Sequence, residues 1–257
     1  EVCVIIVITN TLEDNMYKDK DFLYKKFITE RQTVKSIAEE CGVSKGTIET
    51  YLRKFSIKRG NVKNTIKNDS VDTTSPIFNY YAGLIATDGY MDKKVPRVSL
   101  RCKNLGCDKV FNNLKDYFSF TGGVRNYGES FDLTITSVLL REALVSIGVS
   151  PLGKVHNTFP KQFYNEDCAR MYVRGLLDGD GSIKVNKLFR ITLTNKNFLL
   201  ALSMYLNNTI GTQTVVKPDR KYWKIEMSRK DSTIFLEWVY KGYEDFRFLD
   251  KYYRYLG

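Results

Sequence analysis

Apolar and polar positions change period several times along this chain of 257 residues, and the changes divide it into parts. Near the N-terminus, Val2–Ile8 is a short apolar run in an extension of unassigned role (1–15); it reads as a strand or as the residue of an upstream reading frame, and Met16 is a candidate for the original start. Residues 16–60 then carry two short helical periods, Val34–Glu40 and Lys45–Lys54, separated by Cys41–Ser44. Gly42 suits a tight turn there and Ser44 a helix N-cap, while Ala38, Val43, Ile48 and Leu52 fall where a helical pair buries its side chains. Residues 61–76 are polar and aperiodic, as expected of a linker, with Pro76 opening the next helix.

From about Ile77 the pattern occurs twice. An apolar helix ending in Thr87-Asp88-Gly89 precedes a strand of clean alternation, "RVSLRCKN"; then come a helix near Lys109–Phe118, the strand pair in "GGVRNYGESFDLTITS" and the helix "VLLREALVSIGV". After a connection at 151–165 the order returns: the helix "EDCARMYVRGLLDGDG", the strand "LFRITLTNKN", the helix "FLLALSMYLNNTI", two strands and the helix "STIFLEWVYKGY". The pattern predicts an α+β protein of two αββαββα repeats, 77–150 and 166–257, whose antiparallel sheets form a saddle, preceded by a small all-α domain.

The doubled helix ending raises the question of chemistry. Gly83 with Thr87, and Gly175 with Gly179, place small residues four apart, so the two helices can pack backbone to backbone. Asp88 and Asp180 would then sit side by side. Both lie at helix C-termini, where the dipole disfavours an anion, and they repel each other. Gly89 and Gly181 already supply the residue that ends each helix, so neither acid is needed as a stop signal. A divalent cation held by hard oxygen ligands resolves the conflict and suits phosphoryl chemistry. An EF-hand reading of Asp178 and Asp180 fails, because Ile183 stands where that loop needs glycine.

"YAGLIATDG" (Tyr81–Gly89) and "VRGLLDGDG" (Val173–Gly181) resemble the two motifs of single-chain LAGLIDADG homing endonucleases, and the likeness extends from about Ile77 to the C-terminus. The resemblance implies Mg²⁺-dependent double-strand cleavage of a long DNA target, with Mn²⁺ or Ca²⁺ able to occupy the same site. Cuts across the minor groove would leave short 3′ overhangs. It implies Asp88 and Asp180 as metal ligands and catalytic residues. It also implies a water-organising group at the end of the second strand of each repeat, by pattern Cys102 and Asn195, and a later-strand lysine, Lys224, whose counterpart is Asp132. Unequal half-sites follow from that last difference. Ala86 departs from the usual acid of the first motif, whereas Asp178 keeps it in the second. Residues 16–60 resemble a helix-turn-helix, which places Lys45, Thr47, Thr50 and Arg53 of its second helix as DNA contacts.

Charge agrees with a polyanionic partner. Lys and Arg number 40 against 29 acids, a net charge of +11. Arg97, Ser99, Arg101 and Lys103 alternate with Val98, Leu100 and Cys102, and Arg190, Thr192 and Thr194 with Phe189, Ile191 and Leu193, so each sheet offers one apolar and one basic face. Lys184, Arg125, Asn126, Lys217 and Arg220 extend the expected DNA contacts. Two strands of about eight residues each, at about 3.4 Å per residue, suit a target of roughly sixteen base pairs or more.

Five cysteines form no disulfide framework, and Cys102 and Cys107 with the single His156 lack zinc spacing. No stretch reads as transmembrane. Double-stranded DNA is the expected partner, the chain a monomer, and its location a cytoplasm or an organellar matrix rather than the secretory route. Two other readings stand on the same scaffold: a non-cleaving DNA-binding regulator, and a group I intron maturase that binds intron RNA.

Overall fold

The computed structural model describes residues 16–30, 32–57, 65–66 and 71–257. The strand expected at Val2–Ile8 lies outside them. The described residues fall into two compact units, divided between Val62 and Lys63.

In the first unit, α1 (Lys20–Tyr24) runs on into a π-turn, and α2 (Val34–Glu40) and α3 (Lys45–Lys54) follow. Side chains cap both helices of the pair: Thr33 Oγ1 accepts from the Ser36 amide, and Ser44 Oγ from that of Thr47. Gly42, at φ +65°, makes the turn between them. Leu23, Ile37, Ala38, Cys41, Ile48, Leu52 and Ile57 form the core, with Val43 packed against it.

The second unit contains two repeats of one element order. The first is α4 (Pro76–Thr87), β1 (Gly89–Met91), β2 (Arg97–Cys102), α5 (Cys107–Tyr117), β3 (Arg125–Asn126), β4 (Phe131–Thr136) and α6 (Val138–Ser146). The second is α7 (Glu166–Asp180), β5 (Gly181–Ile183), β6 (Phe189–Leu193), α8 (Lys196–Ile210), β7 (Val216–Asp219), β8 (Tyr222–Glu226) and α9 (Arg229–Val239). Each repeat builds an antiparallel four-stranded sheet, ordered β1-β2-β4-β3 and β5-β6-β8-β7. Alternation along β2 buries Val98, Leu100 and Cys102 and turns Arg97, Ser99 and Arg101 outward. One extended core joins both repeats, with Tyr80, Tyr81 and Tyr172 among its fully buried side chains.

Two features depart from the sequence pattern. Part of the expected linker is packed: Ile66 is buried and bridges Phe120, and the Thr121 amide donates to the Thr65 carbonyl at 2.8 Å. A further helix, α10 (Leu249–Leu256), follows the second repeat.

Candidate functional site

The two motif helices, α4 and α7, meet along their small residues. A Cβ on Gly83 would stand 3.0 Å from the Gly175 Cα, and one on Gly175 would lie 2.8 Å from the Leu84 amide nitrogen. Further along, Gly179 faces Thr87: a Cβ there would strike the Thr87 hydroxyl and lie 3.6 Å from the Asp88 amide nitrogen. Glycine at these positions lets the backbones touch, and the last turns of both helices arrive together. Asp88 closes α4 as its C-cap residue, and Asp180 is the final residue of α7; both are half-buried.

Gly89 and Gly181 do not end the helices in the left-handed way expected. Gly181 has φ −74° and ψ 154°, and Gly89 is not among the positive-φ residues. Their missing side chains serve close approach instead, since a Cβ on Gly181 would lie 2.6 Å from the Leu177 carbonyl oxygen and one on Gly89 2.7 Å from Ile85 Cδ1.

Burial pushes the Asp180 carboxyl up to about 6. The nearby Asp88 charge acts in the same direction, while Lys154 and Lys251 oppose it. Asp178 has a different environment. It is fully buried, accepts from the Tyr80 hydroxyl at 2.7 Å and from the Phe248 amide at 3.1 Å, and is also raised to about 6, chiefly by burial. It therefore ties α7 to α4 and to the start of α10, a structural task that Ala86 does not perform in the first repeat. Arg174, fully buried, donates to the carbonyl of Val239, the last residue of α9, and to those of Lys241, Gly242 and Tyr243 beyond it.

Beside Asp180 opens a cavity of about 350 Å³, lined in part by Lys154, Asn157, Thr192, Asn195 and Tyr222. Asn195 caps α8, its Oδ1 accepting from the Phe198 amide at 3.0 Å, and its Nδ2 donates to the carbonyls of Val155 and Asn157. Its side chain thus holds the inter-repeat connection against the second sheet.

Strand register corrects one pairing of the sequence pattern. Gly89 lies opposite Leu100, and Gly181 opposite Ile191, so Cys102 matches Leu193 and not Asn195, whose counterpart is Asn104. The pattern failed because a slip of two residues leaves the alternation of a strand unchanged, and only the hydrogen-bonded register fixes the match. By contrast, Lys224 and Asp132 are true counterparts: Arg101 pairs with Asp132 across its sheet, and Thr192 with Lys224. Arg125 and Lys217, opposite these two, also correspond.

The outward sheet faces are charged but extensively paired. Arg97 meets Asp92 at 2.8 Å, Arg101 meets Asp132 at 3.7 Å, and Lys224 meets Glu226 at 3.6 Å. Lys184 pairs with Glu226, and Arg190 with Asp219. Lys103, Arg125, Lys217 and Arg220 form no ion pair among the described residues, and Asn126, Ser99 and Thr194 lie in or beside the same strands. In the helical unit, Lys45, Thr50 and Arg53 are exposed on α3 and Thr47 is half-buried. Thr50 donates to the Gly46 carbonyl, and Lys45 meets Glu49 at 3.6 Å.

Sequence reasoning missed Lys154, Asn157 and Lys251. The first two lie in an aperiodic connection and the third in a helix beyond the repeats, so no repeated pattern marks them.

Among the described residues no three of His, Cys, Asp and Glu converge as a metal cluster. Cys41, Cys102, Cys107 and Cys168 are free and buried. No helix among the described residues is long and apolar enough to cross a membrane.

The two glycine-packed helices, each ending in an acid and each leading into a four-stranded sheet, define a pseudo-symmetric αββαββα saddle. This chain is a LAGLIDADG-fold protein. The sequence matches no family model and no curated protein. Solved structures do match. A variant of the homing endonuclease I-DmoI in complex with its target DNA and Mg is 20% identical, with 67% of this chain and 100% of that chain covered at a TM-score of 0.51. I-DmoI with DNA and Mn is also 20% identical, with 66% and 99% covered at a TM-score of 0.51. I-DmoI with DNA and Ca is 21% identical, with 67% and 93% covered at a TM-score of 0.51.

Proposed function

We propose that this protein is a sequence-specific DNA endonuclease of the homing type, which cuts both strands of a long target by phosphodiester hydrolysis and leaves short 3′ overhangs. The observation that carries this reading is the convergence of Asp88 and Asp180 at the ends of two helices that touch through Gly83 and Gly175. Two carboxylates at adjoining helix C-termini oppose both the helix dipoles and each other. Asp180 is raised accordingly by burial and by the charge of Asp88. Glycine packing brings the two acids together, Lys154 and Lys251 offset part of the charge, and a divalent cation would offset the rest.

The donor set fits Mg²⁺, because both carboxylates offer hard oxygens. Asp88 and Asp180 would hold the ion, which when bound would supply positive charge beside the phosphate and lower the pKa of a nearby water. The rest falls to the chain. Arg125, Lys217, Lys103 and Arg220 offer cations to phosphates, and Ser99, Asn126, Thr192 and Thr194 offer groups that can read base edges. Arg97, Arg101, Lys184 and Arg190 exchange their acidic partners for phosphates on binding. Lys224 stands opposite Thr192 on the sheet and supplies a cation near the second half-site, where the first has the Arg101–Asp132 pair. Asn195 acts by holding the connection that carries Lys154. The helical unit adds Lys45, Thr47, Thr50 and Arg53 as a further helix-turn-helix contact.

Cleavage of a randomised DNA library in Mg²⁺, by the protein and by its Asp88→Asn and Asp180→Asn variants, tests this reading. Cutting that both variants abolish while DNA binding persists supports it. Specific binding without cutting by the unaltered protein overturns it in favour of a regulator or an intron maturase.

A further inference from the structure

The carbonyls that end the two motif helices are not left to solvent. At the end of α7, the Lys251 ammonium donates to the carbonyls of Leu177 (2.8 Å), Asp178 (2.5 Å) and Gly179 (2.8 Å). Only 7% of Lys251 is exposed. At the end of α4, the buried Asn157 donates its Nδ2 to the Ala86 carbonyl at 2.9 Å and is fixed through its Oδ1 by the Ser150 amide. Ala86 and Asp178 occupy the same place in the two motifs, each two residues before its acid. Lys251 and Asn157 thus cap equivalent carbonyls.

Each capping residue lies on the chain segment that follows its own repeat, and each segment crosses to the other repeat. The connection bearing Asn157 is held by Asn195, whose Nδ2 reaches the Asn157 carbonyl at 2.7 Å. Helix α10, bearing Lys251, is held at Leu105, whose carbonyl accepts from the Leu249 amide at 2.8 Å, and Leu249 packs on Gly106. In strand register Asn104 corresponds to Asn195, so the two straps rest on matching corners of the two repeats. The straps differ in charge: one presents a neutral amide, the other an ammonium.

We propose that Asn157 and Lys251 are matched positioning residues, each fixing the last turn of one motif helix and hence one acid of the pair, so that each governs the cutting of a different DNA strand. This rests on the endonuclease reading. Neither residue needs to touch DNA. A helix end whose carbonyls lose their donors is held less firmly, so loss of Asn157 acts first on the turn that leads to Asp88 and loss of Lys251 first on the turn that leads to Asp180.

The test uses the full chain and a duplex selected from a randomised library, with each strand labelled and followed separately in Mg²⁺. Lys251→Met and Asn157→Ala should each slow one strand relative to the other by about 100-fold, the scale of a 1 Å misplacement, and should slow opposite strands. Equal slowing of both strands, or none, overturns the proposal. A variant that only weakened the fold would slow both strands alike. Should Lys251→Met fail to fold, Lys251→Gln, which keeps one amide donor, should give a smaller skew of the same sign; no skew overturns the proposal.

Should the unaltered protein cut no DNA, the endonuclease reading fails and positioning is judged by amide hydrogen exchange. Lys251→Met should then speed exchange at the last turn of α7 and spare that of α4, and Asn157→Ala should do the reverse. Unchanged exchange, or equal acceleration in both helices, overturns the proposal.

Discussion

A Cβ built on Gly83 would stand 3.0 Å from the Cα of Gly175, closer than ordinary van der Waals contact, so only the bare backbones of these two glycines can meet there. That contact brings Asp88 and Asp180 together, and the two sheets radiate from it. Because the nearest atoms to that Cβ, the Tyr172 carbonyl oxygen, the Gly175 Cα and the Leu176 amide nitrogen, are all backbone and not movable side-chain tips, Gly83→Ala should destabilise the fold by about 1–3 kcal/mol or more. Gly123, where a Cβ would meet nothing within 4 Å, is the control; its alanine variant should stay within about 0.5 kcal/mol of the parent. Urea unfolding of the two variants checks both.

Exchange of either acid for its amide keeps size and removes charge. Asp88→Asn and Asp180→Asn should each lower the cleavage rate by about 1,000-fold or more, the scale of removing one preorganised electrostatic contribution, while the dissociation constant for DNA changes little. Gel-shift and cleavage assays on one duplex separate the two effects.

Asp178 makes stability depend on pH. Burial raises its folded-state value from 3.8 to about 6, so the folded state binds the proton more tightly than the unfolded chain does. The resulting stabilisation is fully present below about pH 4 and is lost as pH rises through about 6, amounting to roughly 3 kcal/mol over that window. Asp178→Asn should remove this contribution to the slope. Urea midpoints at pH 4.5 and 7 for parent and variant, taken without divalent ions, show whether it does.

Arg125 and Lys217 occupy equivalent outward positions in the two sheets and form no ion pair among the described residues. As phosphate contacts, each should contribute about 0.9 to the slope of log affinity against log salt, and Arg125→Ala and Lys217→Ala should each reduce the slope by about that amount. Fluorescence anisotropy at several salt concentrations measures it. An unchanged slope removes that residue from the interface.

The repeat, both motif helices and the alternation of β2 and β6 were legible in the sequence, because local periodicity reports which face of an element is buried. So were the helix starts at Ser44 and Pro76, where one side chain or one ring decides the local geometry. The role of Gly89 and Gly181 was not legible: a glycine after a helix reads as a left-handed cap, and only the packed structure shows it serving close approach to Ile85 and Leu177. The match of Cys102 with Leu193 likewise depends on hydrogen-bond register, which a slip of two residues leaves unchanged in its alternation.

What the sequence determined by itself is that two acids recur at the ends of two like helices. Which groups surround them was decided by tertiary structure. Lys154 and Asn157 come from an aperiodic connection, and Lys251 from a helix that lies beyond the second repeat and has no counterpart in the first. They reach the site because the chain beyond each repeat folds back across the other, where buried carbonyls at a helix end require donors and the nearest available ones are an amide and an ammonium.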